Sequence, residues 1–162
     1  MNIQAYLARI NYHGSTTPTI ETLRELHRAH LLGVPFENLD IHWRRRIVLD
    51  EDGLFDKIVN RRRGGFCFEL NGLFAALLRE LGFQVTLLSA RTFEPDGQTS
   101  PEFDHLVLLV QLQERWLADV GWGNFSIEPL RFDPEDEQTL GARAFRIAHL
   151  EANHLYWMRE PG

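Results

Sequence analysis

The stretch from Arg61 to Leu81, RRRGGFCFELNGLFAALLREL, decides how the rest of the chain is interpreted. From Cys67 onward its apolar residues recur at helical spacing. Those that share one face are Leu70, Leu73, Phe74, Leu77 and Leu81. Gly82 follows where helices commonly end in a left-handed residue. The stretch therefore predicts a helix whose first turn carries Cys67, the only cysteine among 162 residues.

The pattern upstream of this helix is helical, and the pattern downstream is not. Thr19 is a plausible N-cap for an amphipathic helix in TIETLRELHRAHLL, whereas RIVLD at 46–50 has strand character. After Gly82 the apolar period becomes two, which indicates strands. Helices followed by strands are typical of the α+β class. We expect a helical bundle over residues 1–82 and an antiparallel β-barrel-like segment over residues 83–162.

Composition and charge exclude several classes of function. The formal net charge is −6, which argues against a nucleic-acid partner because phosphate binding needs a basic surface. No apolar run approaches ~18 residues and the N-terminus lacks a secretory pattern, so we expect no membrane span. A single cysteine forms no internal disulfide, which fits the cytoplasm. With no second cysteine and no H-E-x-x-H motif, no metal site is indicated.

Two interpretations of Cys67 compete. A free cysteine is often a buried structural thiol. However, Gly64 and Gly65 precede it, and residues without a Cβ allow a sharp turn and a close approach by a ligand. The first turn of a helix also favours a thiolate. Phe66 and Phe68 flank the cysteine and are either pocket walls or core.

A thiolate nucleophile needs a base, and the base needs an orienting group. His105 opens the apolar strand HLVLLV, whereas His27 and His30 lie on the helical stripe and are interpreted as interior histidines. If HLVLLV and RWLADV pair as a hairpin around LQER, His105 and Asp119 both lie at its open end. Asp104 would point to the opposite face of the strand. The alternative for Asp119 is a turn-capping carboxylate.

Four motifs, VPFENLD, RGGFCFELNG, FDHLVLLV and DVGWG, resemble the arylamine N-acetyltransferases in both order and spacing. The resemblance implies a cysteine-protease-like catalytic core where bundle and barrel meet. In that core Cys67 is the nucleophile, His105 the base and acid, and Asp119 the orienting group. It also implies that Glu37 and Arg63 are paired structural residues beside the site.

The resemblance further implies a ping-pong acetyl transfer through an acetyl-Cys67 intermediate. Acetyl-CoA would be a co-substrate rather than a bound cofactor, and the acceptor a small aromatic amine or hydrazine. Backbone N–H groups at Cys67 and in the loop after Asp119 would meet the oxyanion. Trp122 stands where the family usually has phenylalanine. The candidate substrate-binding residues are Phe66, Phe68, Phe93, Trp122, Gly123 and Phe125, and each aromatic is alternatively core.

Members of the family are longer than this chain and carry a third, α/β segment that covers the barrel. We expect the present sequence to lack that segment, and its open barrel edge predicts a homodimer. Two alternative hypotheses stay open. One is a different Cys-His-Asp acyltransferase, such as an amide synthase, or a thiol hydrolase. The other is a catalytically inactive fragment that keeps these residues as scaffold.

Overall fold

The structure is a computed structural model that describes residues 1–92, 98–123, 125–150 and 153–159, with the strands beyond residue 148 described by their backbone. The helices are α1 (Ile3–Arg9), α2 (Ile20–Gly33), α3 (Leu39–His42), α4 (Glu51–Phe55), a π-helical turn (Asp56–Asn60) and α5 (Cys67–Glu80). The strands are β1 (Gln84–Ala90), β2 (His105–Gln111), β3 (Arg115–Ala118), β4 (Leu130–Arg131), β5 (Gln138–Leu140), β6 (Arg143–Leu150) and β7 (Asn153–Arg159). The described helices thus all precede the strands, and the α+β prediction is confirmed.

Side-chain caps explain where the helices begin. Thr19 accepts a hydrogen bond from the backbone N–H of Thr22, which confirms the predicted start of α2. At α5 the N-cap is Phe66, which has no side-chain acceptor. Glu69 compensates, because its carboxylate accepts the Phe66 N–H at 3.1 Å. The helix of Cys67 therefore begins where the sequence predicts it.

The hairpin predicted from HLVLLV and RWLADV is confirmed. Strand β2 pairs antiparallel with β3, with Leu108 opposite Ala118 and Gln111 opposite Arg115. His105 and Asp119 consequently lie at the open end of this hairpin. The strand expected at residues 46–50 is not formed. Its side chains Val48 and Leu49 stay 47% and 52% exposed instead of packing on a sheet.

The described strands form two open sheets, so the expected barrel-like closure is not found. One sheet has the order β1-β2-β3-β4 and the other β5-β6-β7, both antiparallel. Between them a single side chain replaces the backbone ladder. Gln138 of β5 accepts the N–H of Arg131 at 2.8 Å and donates to the Arg131 carbonyl at 2.9 Å. Among the described residues, the hydrogen-bonded link between β4 and β5 is therefore an amide side chain rather than a strand ladder.

One apolar core packs the helices onto the first sheet. Phe74 of α5 is fully buried in the same cluster as Tyr6 of α1, Leu26 of α2 and Leu108 of β2. A second, smaller cluster joins the two sheets through residues such as Phe145 of β6. Within the described ranges, no helix combines the length and the apolar character that a membrane crossing needs.

The segment before Cys67 is fastened to the segment after α2. The Glu37 N–H donates to the Gly65 carbonyl at 2.9 Å, and the Gly65 N–H approaches the Pro35 carbonyl at 3.4 Å. The buried guanidinium of Arg9 donates to main-chain carbonyls on three segments, among them those of Ile58 and Arg63. Backbone groups of the R-G-G motif and of the residues before it thus take part in this fastening.

Replacement of Gly64 by alanine tests this close packing, since a Cβ there would overlap the carbonyl oxygen of Pro35. We expect Gly64→Ala to lower the free energy of unfolding by about 3 kcal/mol or more, the scale of overpacking in a fixed backbone. Urea unfolding of the variant and of the wild-type protein measures this loss. The matched control is Gly72→Ala, in the middle of α5, where the new Cβ meets only Leu54 at 3.5 Å. It should be neutral or stabilise by up to about 1 kcal/mol, because alanine favours helix. Equal losses in the two variants would contradict this account.

Candidate active site

Cys67 is the first residue of α5 and is 8% exposed. Its Sγ lies 3.9 Å from the carbonyl oxygen of Asp104, the residue before His105. The start of β2 therefore borders the helix terminus that carries the thiol. The N–H groups of the first helical turn have no intrahelical acceptor, so the dipole of α5 favours negative charge at this position.

His105 and Asp119 are in direct contact. Nε2 of His105 lies 2.7 Å from Oδ2 of Asp119, and the two residues are 3% and 1% exposed. Because Nε2 faces the carboxylate, Nδ1 is the ring nitrogen left for Cys67. The imidazole thus lies between the thiol and the carboxylate.

The electrostatics of His105 follow from this contact. Burial alone would lower its pKa, but hydrogen bonds to Asp119 and to Cys67, together with their negative charges, raise the pKa to about 9. The imidazolium is therefore the favoured form at neutral pH. A cation in this position stabilises a neighbouring thiolate.

The carboxylate of Asp119 has further partners that the sequence analysis missed. Its Oδ1 accepts from Nδ2 of Asn71 and from the backbone N–H of Gly121, both at 2.9 Å. Asn71 lies one helical turn after Cys67, and it also donates to the Leu106 carbonyl at 2.6 Å and accepts the Val120 N–H at 2.9 Å. One buried amide thus ties α5 to β2 and to the loop after β3. Its signal in the sequence is the one polar side chain in the run LNGLFAALL, four positions after the cysteine.

Gly121 allows the loop after Asp119 to approach α5. A Cβ at Gly121 would lie 2.7 Å from both the Cα of Cys67 and Nδ2 of Asn71. Contacts this short do not occur for real side chains, so this position admits glycine alone.

The carboxylate of the other candidate acid, Asp104, is exposed. It accepts a hydrogen bond from the hydroxyl of Thr92 at 3.3 Å, away from His105.

The two interior histidines are buried, as interpreted. His27 is 1% and His30 0% exposed, and burial, the largest cause, lowers the pKa of His27 to about 4 and that of His30 to about 3. Nδ1 of His30 is 2.8 Å from the hydroxyl of Tyr6. His27 has a different set of partners: the backbone N–H of Asp119 and the carbonyl of Ile127, each at 3.1 Å.

A cluster of charged side chains lies beneath the first turn of α5. Arg63 donates to Glu37 at 2.6 Å and to Asp40 at 2.9 Å. Lys57, from the π-helical turn, contacts Asp40 at 2.9 Å and both oxygens of Glu69 at 2.8 Å. Burial lowers the pKa of Lys57, but its bonds to Glu69 and Asp40 outweigh burial and raise it. Of these residues Glu37 and Arg63 are predicted from the sequence, and Asp40 lies in the same VPFENLD motif as Glu37.

The candidate substrate-binding residues occupy three separate places. Phe66 and Phe68, both half-buried, contact each other beside Cys67 with ring centroids 5.9 Å apart. Trp122 is 41% exposed and meets the His105 ring edge-on at 5.1 Å. Phe93 lies outside the described residues.

Gly123 and Phe125 line a cavity of about 290 Å³. Its other lining residues are Leu31, Ser126, Ile127, Leu140, Ala142, Arg143 and Phe145. Neither Cys67 nor His105 is among them. Over the part of the chain that is described, no three histidine, cysteine or acidic side chains converge as ligands for a metal ion.

Comparison with known proteins identifies the family. The sequence profile of a family described as N-acetyltransferase matches residues 19–161. The arylamine N-acetyltransferase / N-hydroxyarylamine O-acetyltransferase of Salmonella typhimurium is 42% identical over 147 residues, which are 90% of this chain and 52% of that protein. The solved arylamine N-acetyltransferase from the same organism superposes with a TM-score of 0.91 at 39% identity, over 98% of this chain and 58% of that one. The Mycobacterium marinum arylamine N-acetyltransferase in complex with CoA has a TM-score of 0.89 at 36% identity, over 97% and 60% of the two chains.

The chain therefore belongs to the N-acetyltransferase family. Within it, the Salmonella typhimurium relative and the two solved structures compared above are arylamine N-acetyltransferases, so the resemblance inferred from the four motifs is confirmed. The chain spans about half the length of the curated relatives it matches.

The pH dependence of stability tests the electrostatics of His105. Its pKa is raised from 6.5 to about 9 in the folded state, so the stabilisation is fully present below pH 6.5 and is lost as the pH rises through about 9. Between about pH 6 and about pH 10 we expect the free energy of unfolding of the wild-type protein to fall by about 3 kcal/mol, and that of an Asp119→Asn variant, which retains Cys67 but lacks the carboxylate charge, to fall by less. Urea unfolding of both proteins across this range measures the difference. A difference that stays constant or grows with pH would refute the assignment.

Replacement of Asn71 by aspartate tests the amide that holds Asp119. The variant has nearly the same shape, but it places a second carboxylate against Oδ1 of Asp119 and the carbonyl of Leu106. We expect the free energy of unfolding at neutral pH to fall by about 3 kcal/mol, as for a buried uncompensated charge. The control is Asn60→Asp, where an exposed amide donates to Asp56 at 3.3 Å. Solvent screens that site, so its loss should stay below about 0.5 kcal/mol.

Proposed function

We propose that the protein transfers an acetyl group from acetyl-CoA to the nitrogen of an arylamine or arylhydrazine through an acetyl-Cys67 intermediate. The observation that carries the proposal is the buried contact between His105 and Asp119 beside a cysteine at a helix N-terminus. Membership of the N-acetyltransferase family supports the reaction class, and the CoA complex of the Mycobacterium marinum relative supports the donor.

In the first half-reaction the thiolate of Cys67 attacks the thioester carbonyl of acetyl-CoA. A bond forms between Sγ and the carbonyl carbon, and the bond from that carbon to the CoA sulfur breaks. The imidazolium of His105 gives its proton to the departing CoA thiolate. A pKa of about 9 for His105 supports this step, because the imidazolium persists at neutral pH.

The oxyanion of the tetrahedral intermediate requires donors that are not already used. The N–H groups of Val120 and Gly121 donate to Asn71 and Asp119, so this part of the loop after Asp119 does not meet the expectation for an oxyanion hole. We assign the role to the backbone N–H of Cys67, at the positive end of the α5 dipole.

In the second half-reaction the lone pair of the acceptor nitrogen attacks the acetyl carbon. The carbon–sulfur bond to Cys67 breaks, and the neutral imidazole of His105 takes the proton from nitrogen. An arylamine suits this step because it is a weak base and is uncharged at neutral pH. Asp119 orients the imidazole and stabilises the imidazolium that reforms.

The order Cys67, His105 ring, Asp119 is the arrangement of a cysteine-protease-like core, here between the helical part, 1–82, and the strand-rich part, 83–162. Trp122 is the aromatic residue that contacts His105 directly and is partly open to solvent. We propose that an aromatic acceptor packs against the exposed part of Trp122. The larger ring of tryptophan would then narrow the space for the acceptor.

The test is the capture of the acetyl group. Incubation with acetyl-CoA should add the mass of one acetyl group to the intact chain, on Cys67 by peptide mapping, and an added arylhydrazine should remove it as the N-acetyl product. Cys67→Ala should show no adduct, and Asp119→Asn should acetylate about 10⁴-fold more slowly, because the tautomer of His105 is no longer fixed.

Three other outcomes are informative. Loss of the adduct to water without any amine product would indicate a thiol hydrolase, and acylation by a different donor would indicate an amide synthase. A folded protein with no adduct, whose Cys67 reacts with iodoacetamide no faster than a free thiol, would be an inactive scaffold. Any of these would overturn the proposed function.

A further inference from the structure

The loop from Asp119 to Ile127 is fastened at both ends to one side chain of α2. The ring of His27 meets the backbone N–H of Asp119 with Nε2 and the backbone carbonyl of Ile127 with Nδ1, each at 3.1 Å. Between these two points the loop carries Trp122, which contacts His105, and Gly123, which lines the 290 Å³ cavity. A single imidazole therefore holds the two ends of a loop that contacts His105 and also lines the cavity.

The partners leave one protonation state for this ring. A backbone N–H is always a donor, so Nε2 of His27 must be the bare, accepting nitrogen. Nδ1 then carries the hydrogen and donates to Ile127. Burial, the largest cause, lowers the pKa of His27, as this neutral tautomer requires. The ring also packs edge-on against Phe74 at 6.2 Å, which restricts its rotation.

The contact of His27 with the loop also affects Asp119, the proposed orienting group. Besides His105, Asn71 and the Gly121 N–H fix the side chain of Asp119, whereas His27 holds its backbone N–H. Release of that N–H would allow the end of β3 to shift, and a shift of about 1 Å is enough to lengthen a 2.7 Å hydrogen bond past useful geometry.

We propose that His27 is a positioning residue: it fixes the backbone of Asp119, and through it the distance from the carboxylate to Nε2 of His105. The benefit to catalysis rests on the proposed acetyl transfer, whereas the effect on His105 does not. The titratable groups that face the imidazole of His105 are Asp119 and Cys67. Those that act on the ring of His27 are Asp119 and His30 of the same helix.

Two substitutions separate the two ends of the bridge. The amide of asparagine reaches the position of Nδ1, so His27→Asn retains a donor for Ile127 and loses the acceptor for Asp119. The longer glutamine brings its carbonyl oxygen to the position of Nε2, so His27→Gln retains the acceptor for Asp119. His27→Leu removes both. The control is His30→Leu, an equally buried histidine one turn away whose partner is Tyr6.

The measured quantity is the pKa of His105, determined in each variant by NMR titration of its ring protons. We expect it to fall by about one unit in His27→Asn and His27→Leu, because the carboxylate recedes. In His27→Gln and His30→Leu it should stay near the wild-type value. In the same preparations, acetylation of Cys67 should slow by about tenfold in His27→Asn and His27→Leu and stay unchanged in the other two variants. This pattern separates positioning from a general loss of stability.

Several results would overturn the role of His27. These are equal His105 titrations in His27→Asn and His27→Gln, a wild-type titration in His27→Leu, or failure of His27→Gln to fold while His30→Leu folds. If His27→Leu is unfolded, the comparison of asparagine with glutamine decides alone. Absence of acetylation in the wild-type protein would instead remove the proposed function and leave the His105 titrations interpretable.

Discussion

A carboxylate as deeply buried as that of Asp119 is tolerated only if every side of it is paired, because an isolated charge in the interior costs several kcal/mol. Here one oxygen faces His105 and the other accepts from Asn71 and from the Gly121 N–H. Much of the local architecture follows from this requirement. The loop must pass close enough to α5 for Asn71 to reach it, and position 121 has no room for a side chain as a result.

Charge compensation continues below the first turn of α5. Glu69 caps the helix by accepting the Phe66 N–H, which places a negative group two residues from Cys67. Left alone, that carboxylate would oppose a thiolate. Lys57 contacts both of its oxygens, so the negative charge of the cap is neutralised within the buried cluster. Glu69 can therefore cap the helix without placing an unpaired negative charge near Cys67.

The parts of the fold and site that could be predicted from sequence are those with local signals. The helix of Cys67 has a long apolar period, and the hairpin of β2 and β3 has two apolar runs around a short polar turn, which places His105 and Asp119 together. The remaining site residues act over long sequence separations. His27 has the pattern of any interior helical residue, and nothing local indicates that its partners are Asp119 and Ile127, 92 and 100 residues away. Likewise β4, with two residues, is too short to show a period.

The joint at Gln138 has a consequence for how the molecule opens. Backbone ladders transmit cooperativity from strand to strand, and here the ladder is interrupted between β4 and β5. Transient separation of β5–β7 therefore need not disturb the pairing of β2 with β3. We therefore expect the second sheet to be a separate unit of local unfolding, with amide hydrogens that exchange sooner than those of the hairpin that carries His105.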